Sequence, residues 1–593
     1  MKEETIHETA CNGFEALYFA VLDSDVALIT GVPGYPVTSL MELFLKTCGS
    51  TETETGSSII SSPDISRTGN GSDINGSDIN GSDINGSDIN GSDINGSDIN
   101  SSNISRSNKS CLPEVNCPAY RASWLTNEKV ALEVALGASV SGRRALVLVK
   151  HVGMNLLSDP LITSVTHTIG AGLIIIAGDD PGVKGSQNEQ DSRWYGKIAE
   201  VAVFDPSSPE TAYGSLRRAY ELSEERHIPV IIRVTAGLEK SKGKIKRFPA
   251  PSVLHPEFDR SIWKLRMVEK HEHFHSKVYP MLEYESENTD LNEIREKVKR
   301  EDAERTEGEK SFGVISSGFA SSLVEEVLVK SGKHKKISHF VLNLVNPLPL
   351  KKIGVFLKDK QKVLVVEESE PFIEEQIRIE GNVYGKKTGH LPYGQVTSKD
   401  IDFALEHIEE EKVSRPADPG LIESRKKSRA SICEDCPYLP LYNFLRISGV
   451  RVAGDMGCSV RSAPEPLSAV DVSFALGSAI SVACGFERKG IAVIGDFALA
   501  HSGILGLLNA VSEGHEVLVL VLQNEVAAMT GGQKVPDLRK VIEAIVPDVS
   551  VFDMDGRKEK EQASGSELSD LITEKLALPG ISVIFIKGVC RKY

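Results

Sequence analysis

Residues Ile491–Asn524 read IAVIGDFALAHSGILGLLNAVSEGHEVLVLVLQN. Ile491–Ile494 is a short apolar run ended by Gly495-Asp496, a helical pattern starts near Ser502, and Val517–Leu522 is a second apolar run closed by Gln523-Asn524. Strand, helix and strand in that order predict two parallel strands joined by a crossover helix. Parallel strands end on the same side, so Asp496 and Asn524 are expected at one carboxyl edge, where open α/β sheets bind ligands. Their oxygens suit one hard cation. Magnesium takes one or two protein oxygens and fills its shell with phosphate oxygens, so a diphosphate cofactor is the natural third party.

Taken alone, a Gly-Asp…Asn pair is more often a strand-end turn and a cap than a metal site. The neighbouring text adds weight. AHSGILGLLNAV supplies a helix start, and AAMTGGQ at Ala527–Gln533 supplies a Gly-rich loop of backbone donors for phosphate oxygens. The spacing of 28 residues between Asp496 and Asn524 fits the Gly-Asp…Asn pattern of thiamine-diphosphate enzymes.

Outward from this unit, the 593-residue chain is too long for one compact domain. Six NGSDI pentapeptides run from Asn70 to Ile99 and carry six of the sixteen net negative charges left by 67 Lys and Arg against 83 Asp and Glu. A period of five gives neither a helix nor a strand face, so residues 49–110 are expected to be a disordered insertion. The acidic balance disfavours nucleic acid, whose binding rests on phosphate neutralisation. No run reaches the roughly 18 apolar residues of a membrane span, and the acidic start MKEETIHETACNG lacks the basic region of a signal peptide. A cytoplasmic protein that does not bind membranes is expected. Nine cysteines are too few for a disulfide scaffold, which points to reduced thiols or metal ligands.

Outside the insertion, three α/β regions are expected. Residues 1–287 contain strand runs Ala145–Val149, Leu173–Ala177 and Val230–Val234 and a helix over Glu128–Val140. Residues 288–310 read as a charged helix and linker, 311–408 as a smaller α/β unit, 409–429 as a second linker and 430–593 as the region quoted first.

Further segments, in order, carry a specific resemblance. GVPGYPVTSLMELF at Gly31–Phe44, NEKVALEVALGAS at Asn127–Ser139, KHVGMNLLSDPL at Lys150–Leu161 and DDPGVKGSQNEQDSRWY at Asp179–Tyr195 precede NPLPL and VLVVEESEPFIEEQI of the middle region. With HSGI, NAV and AMTGGQ, they resemble the large (alpha) subunit family of indolepyruvate ferredoxin oxidoreductase, among the thiamine-diphosphate-dependent 2-oxoacid:ferredoxin oxidoreductases. The resemblance implies an α/β thiamine-diphosphate-binding fold. Separate pyrimidine (1–287) and diphosphate (430–593) domains of parallel sheet flanked by helices would accompany a transketolase C-terminal-like middle domain.

It also implies roles. Glu128 matches the acid that contacts the aminopyrimidine of thiamine diphosphate; without the resemblance, a first-turn Glu favoured by the helix dipole is the preferred reading. Asn155 resembles a polar group near the reacting substrate, against the plain reading of a loop Asn. Asp496, Asn524 and the carbonyl of Val526 would hold magnesium, and Gly495, Thr530 and Gly531 would line the cofactor. Because the activating acid and metal ligands lie in different regions, and such domains commonly meet across subunits, a dimer of the large subunit is implied.

Cys433 and Cys436 in CEDCPYLP, Cys458 in GDMGC and Cys590 have counterparts among the wider family's cluster ligands. They imply a [4Fe–4S] cluster, with zinc or no metal at the CxxC as the alternative. Cys11, Cys48, Cys111, Cys117 and Cys484 show no such arrangement. Four residues depart from the family pattern: Tyr35 for Thr, Tyr438 for His, Phe497 for Ser and Gln523 for Asp. The family's large subunit continues into a ferredoxin-like tail where this sequence reads GVCRKY, so electrons are expected to pass to a separate protein. The implied function is oxidative decarboxylation of a 2-oxoacid, such as the arylpyruvate indolepyruvate, to acyl-coenzyme A. Ferredoxin would accept the electrons, and a smaller gamma-type (beta) subunit would be the partner. The alternatives are a non-oxidative thiamine-dependent decarboxylase and an inactive cofactor-binding scaffold.

Overall fold

The computed structural model of the chain describes residues 7–47, 120–186, 188–248, 256, 258–295, 312–378, 382–415, 432–555 and 561–593. The NGSDI repeats, with Cys48, Cys111 and Cys117, lie outside the described residues.

The first region forms a sheet in the order Leu344–Asn346, Val203–Phe204, Val230–Thr235, Leu173–Asp179, Ala145–Lys150, Leu28–Gly31 and Arg121–Trp124. All neighbours are parallel except the first pair. The central strands are apolar and buried along nearly their whole length because helices cover both faces. Helix Glu128–Val140 starts at Asn127, whose side chain accepts from the Lys129 N–H at 2.8 Å. The chain leaves Leu28–Gly31 towards one side of the sheet and Ala145–Lys150 towards the other. Their carboxyl ends therefore open a crevice at a topological switch point.

The last region is a parallel sheet in the order Val452–Gly454, Gly490–Gly495, Val517–Gln523, Ile581–Lys587 and Asp548–Asp553. Gly495 stands opposite Leu522, so Asp496 and Asn524 leave the sheet at one edge, as the spacing predicts. The connecting helix differs from expectation. It starts at Asp496 rather than near Ser502, and passes through a π turn at Leu499–Gly503 before the regular stretch Ile504–Glu513. The small residues Ala498, Ala500 and Gly503 blur the apolar period there and hide the first turns from a pattern reading.

The middle sheet runs Val383–Tyr384, Lys362–Val366, Phe312–Ser317, Ile337–Leu342 and Glu293–Arg295. The last strand is antiparallel to its neighbour and falls inside the expected 288–310 connector. That stretch is therefore strand at 293–295, where a charged helix was expected. Leu344–Asn346 crosses to extend the first sheet, and one apolar core joins the two regions. A buried ionic seam also ties them. Arg193 pairs with Asp191 at 2.5 Å and Glu367 at 2.7 Å, and Arg233 pairs with Asp179 at 2.6 Å and Asp205 at 3.2 Å.

Candidate active site

The carboxyl edges of the first and last sheets line one cavity of about 1270 Å³. Glu128, Lys150 and Asn155 reach it from one side, and Asp455, Asp496, His501, Asn524, Val526, Thr530 and Gly531 from the other. The contact between the sides is specific. His501 Nε2 lies 2.7 Å from Glu128 Oε2, and the Asn127 side-chain amide donates to the His501 carbonyl at 3.0 Å. Glu128 is buried against Gly153, where an added Cβ would come within 2.8 Å of Oε1. The π turn carries His501 across to this carboxylate.

The two edges meet within one chain, which brings Glu128 and Asp496 to one cavity.

At the far edge, Asp496 accepts backbone N–H bonds from Phe497 at 2.8 Å, Asn524 at 3.0 Å and Glu525 at 2.6 Å. Burial nevertheless pushes its carboxyl up to about 6, and neighbouring Glu525 adds to the rise. A half-buried acid beside another acid and an amide oxygen, with no cationic side chain bonded to it among the described residues, is a donor set that fits a divalent cation. Asn524 Oδ1 accepts from the Val526 N–H at 3.2 Å. Val526–Ala527 then pairs with Gln533–Lys534, and Thr530 bridges the turn by donating to Gln533 Oε1 at 3.0 Å. Gly531 and Gly532, at φ of 126° and 77°, use the conformational freedom that this turn requires. Among the described residues, no group of three or more His, Cys, Asp or Glu side chains could hold a metal ion. The Asp496 set has a different composition: one carboxylate, one amide and oxygens supplied by other groups.

Asn155 lies in helix His151–His167 rather than in a loop. Its Oδ1 accepts from the Tyr195 hydroxyl, and its Nδ2 faces Gln190 Oε1 at 3.4 Å. Its exposed face lines the cavity.

The four expected cysteines line the same cavity as unbridged thiols. Burial pushes Cys436 up to about 11, with Cys433 and Cys590 adding, and Cys458 up to about 12, with Cys436 and Cys590 adding. Tyr442 is buried near Cys436, Cys458 and Asp455, and among the described residues its hydroxyl has no hydrogen-bond partner. That orphaned donor fits a sulfur-bearing group. Tyr438, where the family has His, donates to the Gly588 carbonyl at 3.1 Å and fixes the segment that carries Cys590. Arg591 pairs with Asp555 at 3.1 Å on the other side of Cys590.

Three residues escaped the sequence reading. His501 stood in plain view in HSGI, but its partner is 373 residues away. Asp455, in GDMGC, accepts from the Gly495 N–H at 3.0 Å and the Gly457 N–H at 2.7 Å, locking two strand ends together. Lys150 ends a strand at the crevice, a placement that the run Ala145–Val149 could have suggested.

Residues 455–550 match the family described as thiamine pyrophosphate enzyme, C-terminal TPP binding domain. Indolepyruvate oxidoreductase subunit IorA of Archaeoglobus fulgidus is 31% identical over 431 residues, covering 69% of this chain and 68% of that protein. The subunit of the same name from Thermococcus kodakarensis is 29% identical over 525 residues, covering 79% and 78%. A solved structure, 2-oxoglutarate:ferredoxin oxidoreductase from Magnetococcus marinus, is similar at a TM-score of 0.44 and 13% identity, covering 69% of this chain and 66% of that one.

Proposed function

Because the chain belongs to the family of indolepyruvate oxidoreductase subunit IorA, we propose that it is the thiamine-diphosphate-dependent subunit of a 2-oxoacid:ferredoxin oxidoreductase. Its substrate is an arylpyruvate, its acyl acceptor coenzyme A and its partner the smaller gamma-type subunit. The observation that carries this reading is the Glu128–His501 contact, which sets an activating acid and a magnesium-type oxygen pair at opposite walls of one cavity.

Thiamine diphosphate, when bound, would supply a carbon nucleophile and an electron sink for 2-oxoacid chemistry. The chain's own residues do the rest. Glu128, fixed by His501 and the Asn127 cap, holds a proton at the aminopyrimidine nitrogen. Asp496, Asn524 and the Val526 carbonyl would hold magnesium, and Gly495, Thr530 and Gly531 would line the cofactor. Cys433, Cys436, Cys458 and Cys590, all on the wall of the same cavity, would hold a [4Fe–4S] cluster that passes electrons on to ferredoxin. A non-oxidative decarboxylase would use the same acid and metal pair; the presence of four thiols on the wall of the cavity favours electron transfer.

The test is anaerobic purification with the partner subunit, followed by viologen reduction with phenylpyruvate, indolepyruvate and aliphatic 2-oxoacids, with and without coenzyme A. Dye reduction that requires coenzyme A and is fastest with an arylpyruvate is expected. Carbon dioxide and aldehyde without dye reduction would instead identify a non-oxidative enzyme.

A further inference from the structure

We propose that Lys150 binds the carboxylate of the 2-oxoacid substrate, an assignment that rests on the function proposed above. Lys150 ends strand Ala145–Lys150 at the crevice and lines the cavity beside Glu128. Its stem is pressed against the Val32–Tyr35 loop. A Cβ on Gly34 would come within 2.6 Å of Lys150 Cδ, so the side chain is confined on that side and its reach is set by the backbone.

The ammonium is left without a bond. Among the described residues, no hydrogen bond or ion pair engages it, although Glu128 and Asp180 are close enough to act on its charge. Both acids are already occupied. Glu128 receives His501 at 2.7 Å, and Asp180 accepts the Gly185 N–H at 2.7 Å. Burial lowers the Lys150 ammonium from its ordinary value, the cost of holding a cation away from water without a partner. Such a cost is recovered when an anion arrives. The diphosphate and the substrate carboxylate both bring negative charge to the cavity, and these two separate by position. The diphosphate belongs at the far edge with Asp496 and Asn524, whereas Lys150 stands at the Glu128 end, with Asn155 and Tyr35 on the same wall. Of the other cationic side chains that line the cavity, Arg591 pairs with Asp555, Lys592 lies over the Tyr593 ring at 5.3 Å, Arg461 acts on the Cys458 thiol, and Lys184 is exposed to water. That leaves the substrate carboxylate for Lys150. A bond to it orients the keto carbon and persists until carbon dioxide departs, so it contributes mainly to substrate binding.

The experiment compares wild type, Lys150→Met and Lys150→Arg as two-subunit holoenzymes, measuring phenylpyruvate kinetics and, separately, the affinity for thiamine diphosphate. Lys150→Met is expected to raise KM about 10- to 100-fold, with kcat and cofactor affinity held within about threefold, and Lys150→Arg to recover part of the loss. An unmoved KM, or a cofactor affinity that falls in step with KM, would overturn the assignment. Wild-type protein that turns over no 2-oxoacid would overturn the proposed function and this assignment together, an outcome distinct from an active wild type with a silent Lys150.

Discussion

His501 Nε2 and Glu128 Oε2 meet at 2.7 Å across 373 residues of chain, with side chains only 2% and 5% exposed. This bond joins the helix that follows Gly495 to the start of helix Glu128–Val140, and it fixes the acid that the proposed chemistry requires. Glu128→Gln is expected to lower turnover by about 10²- to 10⁴-fold, the range for losing a positioned proton-transfer group. His501→Ala should cost about 10- to 100-fold by letting Glu128 shift, and the double variant should be no slower than Glu128→Gln alone. Steady-state viologen reduction reads all three, and additive losses would show that the two residues act separately.

With Asp496 as the proposed magnesium ligand, binding of the metal should depend on pH. Burial holds its carboxyl up to about 6, so it is protonated in the fold at pH values where an unfolded Asp has already lost its proton. In the magnesium-free chain the native state then binds more protons than the unfolded state, and the contribution of Asp496 to stability falls as pH rises to about 6. Magnesium needs the carboxylate. Its stabilising effect, read as the shift in Tm on adding magnesium and thiamine diphosphate, should be large at pH 8 and small at pH 5.5. Asp496→Asn should weaken that shift at the higher pH.

The cysteine assignment makes a selective prediction. Cys436→Ser or Cys590→Ser should lower the iron content and the visible absorbance of anaerobically purified protein. Cys484→Ser, in helix Ala479–Cys484 and not on the cavity wall, should leave both unchanged. Iron analysis beside the absorbance spectrum checks this, and wild-type protein with zinc alone would refute the cluster.

Arg193 is fully buried between Asp191 and Glu367, so it clamps the first region to the middle one. Removing it strands two buried carboxylates. Arg193→Ala should cost about 3–5 kcal/mol, read in urea unfolding, whereas Arg266→Ala, on an exposed pair with Glu269, should be nearly neutral.

The local part of this architecture was legible. The runs Ala145–Val149, Leu173–Ala177, Val230–Val234, Ile491–Ile494 and Val517–Leu522 each lie within an observed strand, because fully buried parallel strands write themselves as unbroken apolar text. Asp496 and Asn524 share an edge for the same local reason: one crossover fixes their register. Long-range relations left no periodic trace. Nothing near His501 announces Glu128, nothing in NLVNPLPL says that Leu344–Asn346 leaves its own sheet, and the three-residue strand Glu293–Arg295 is too short and too charged to stand out. The first turns of the helix at Asp496 were missed because a π turn breaks the 3.6-residue period there.

The central claim is that one chain builds the whole cofactor site, with Glu128 on one wall and Asp496 on the other. It is tested most directly by co-expressing differently tagged Glu128→Gln and Asp496→Ala chains with the partner subunit, purifying the doubly tagged assembly and measuring arylpyruvate-dependent viologen reduction. Sites closed within one chain each keep one defect, so the mixed assembly should show no activity above that of the separate variants. Recovery of a substantial fraction of wild-type activity would show sites shared between subunits and contradict the account.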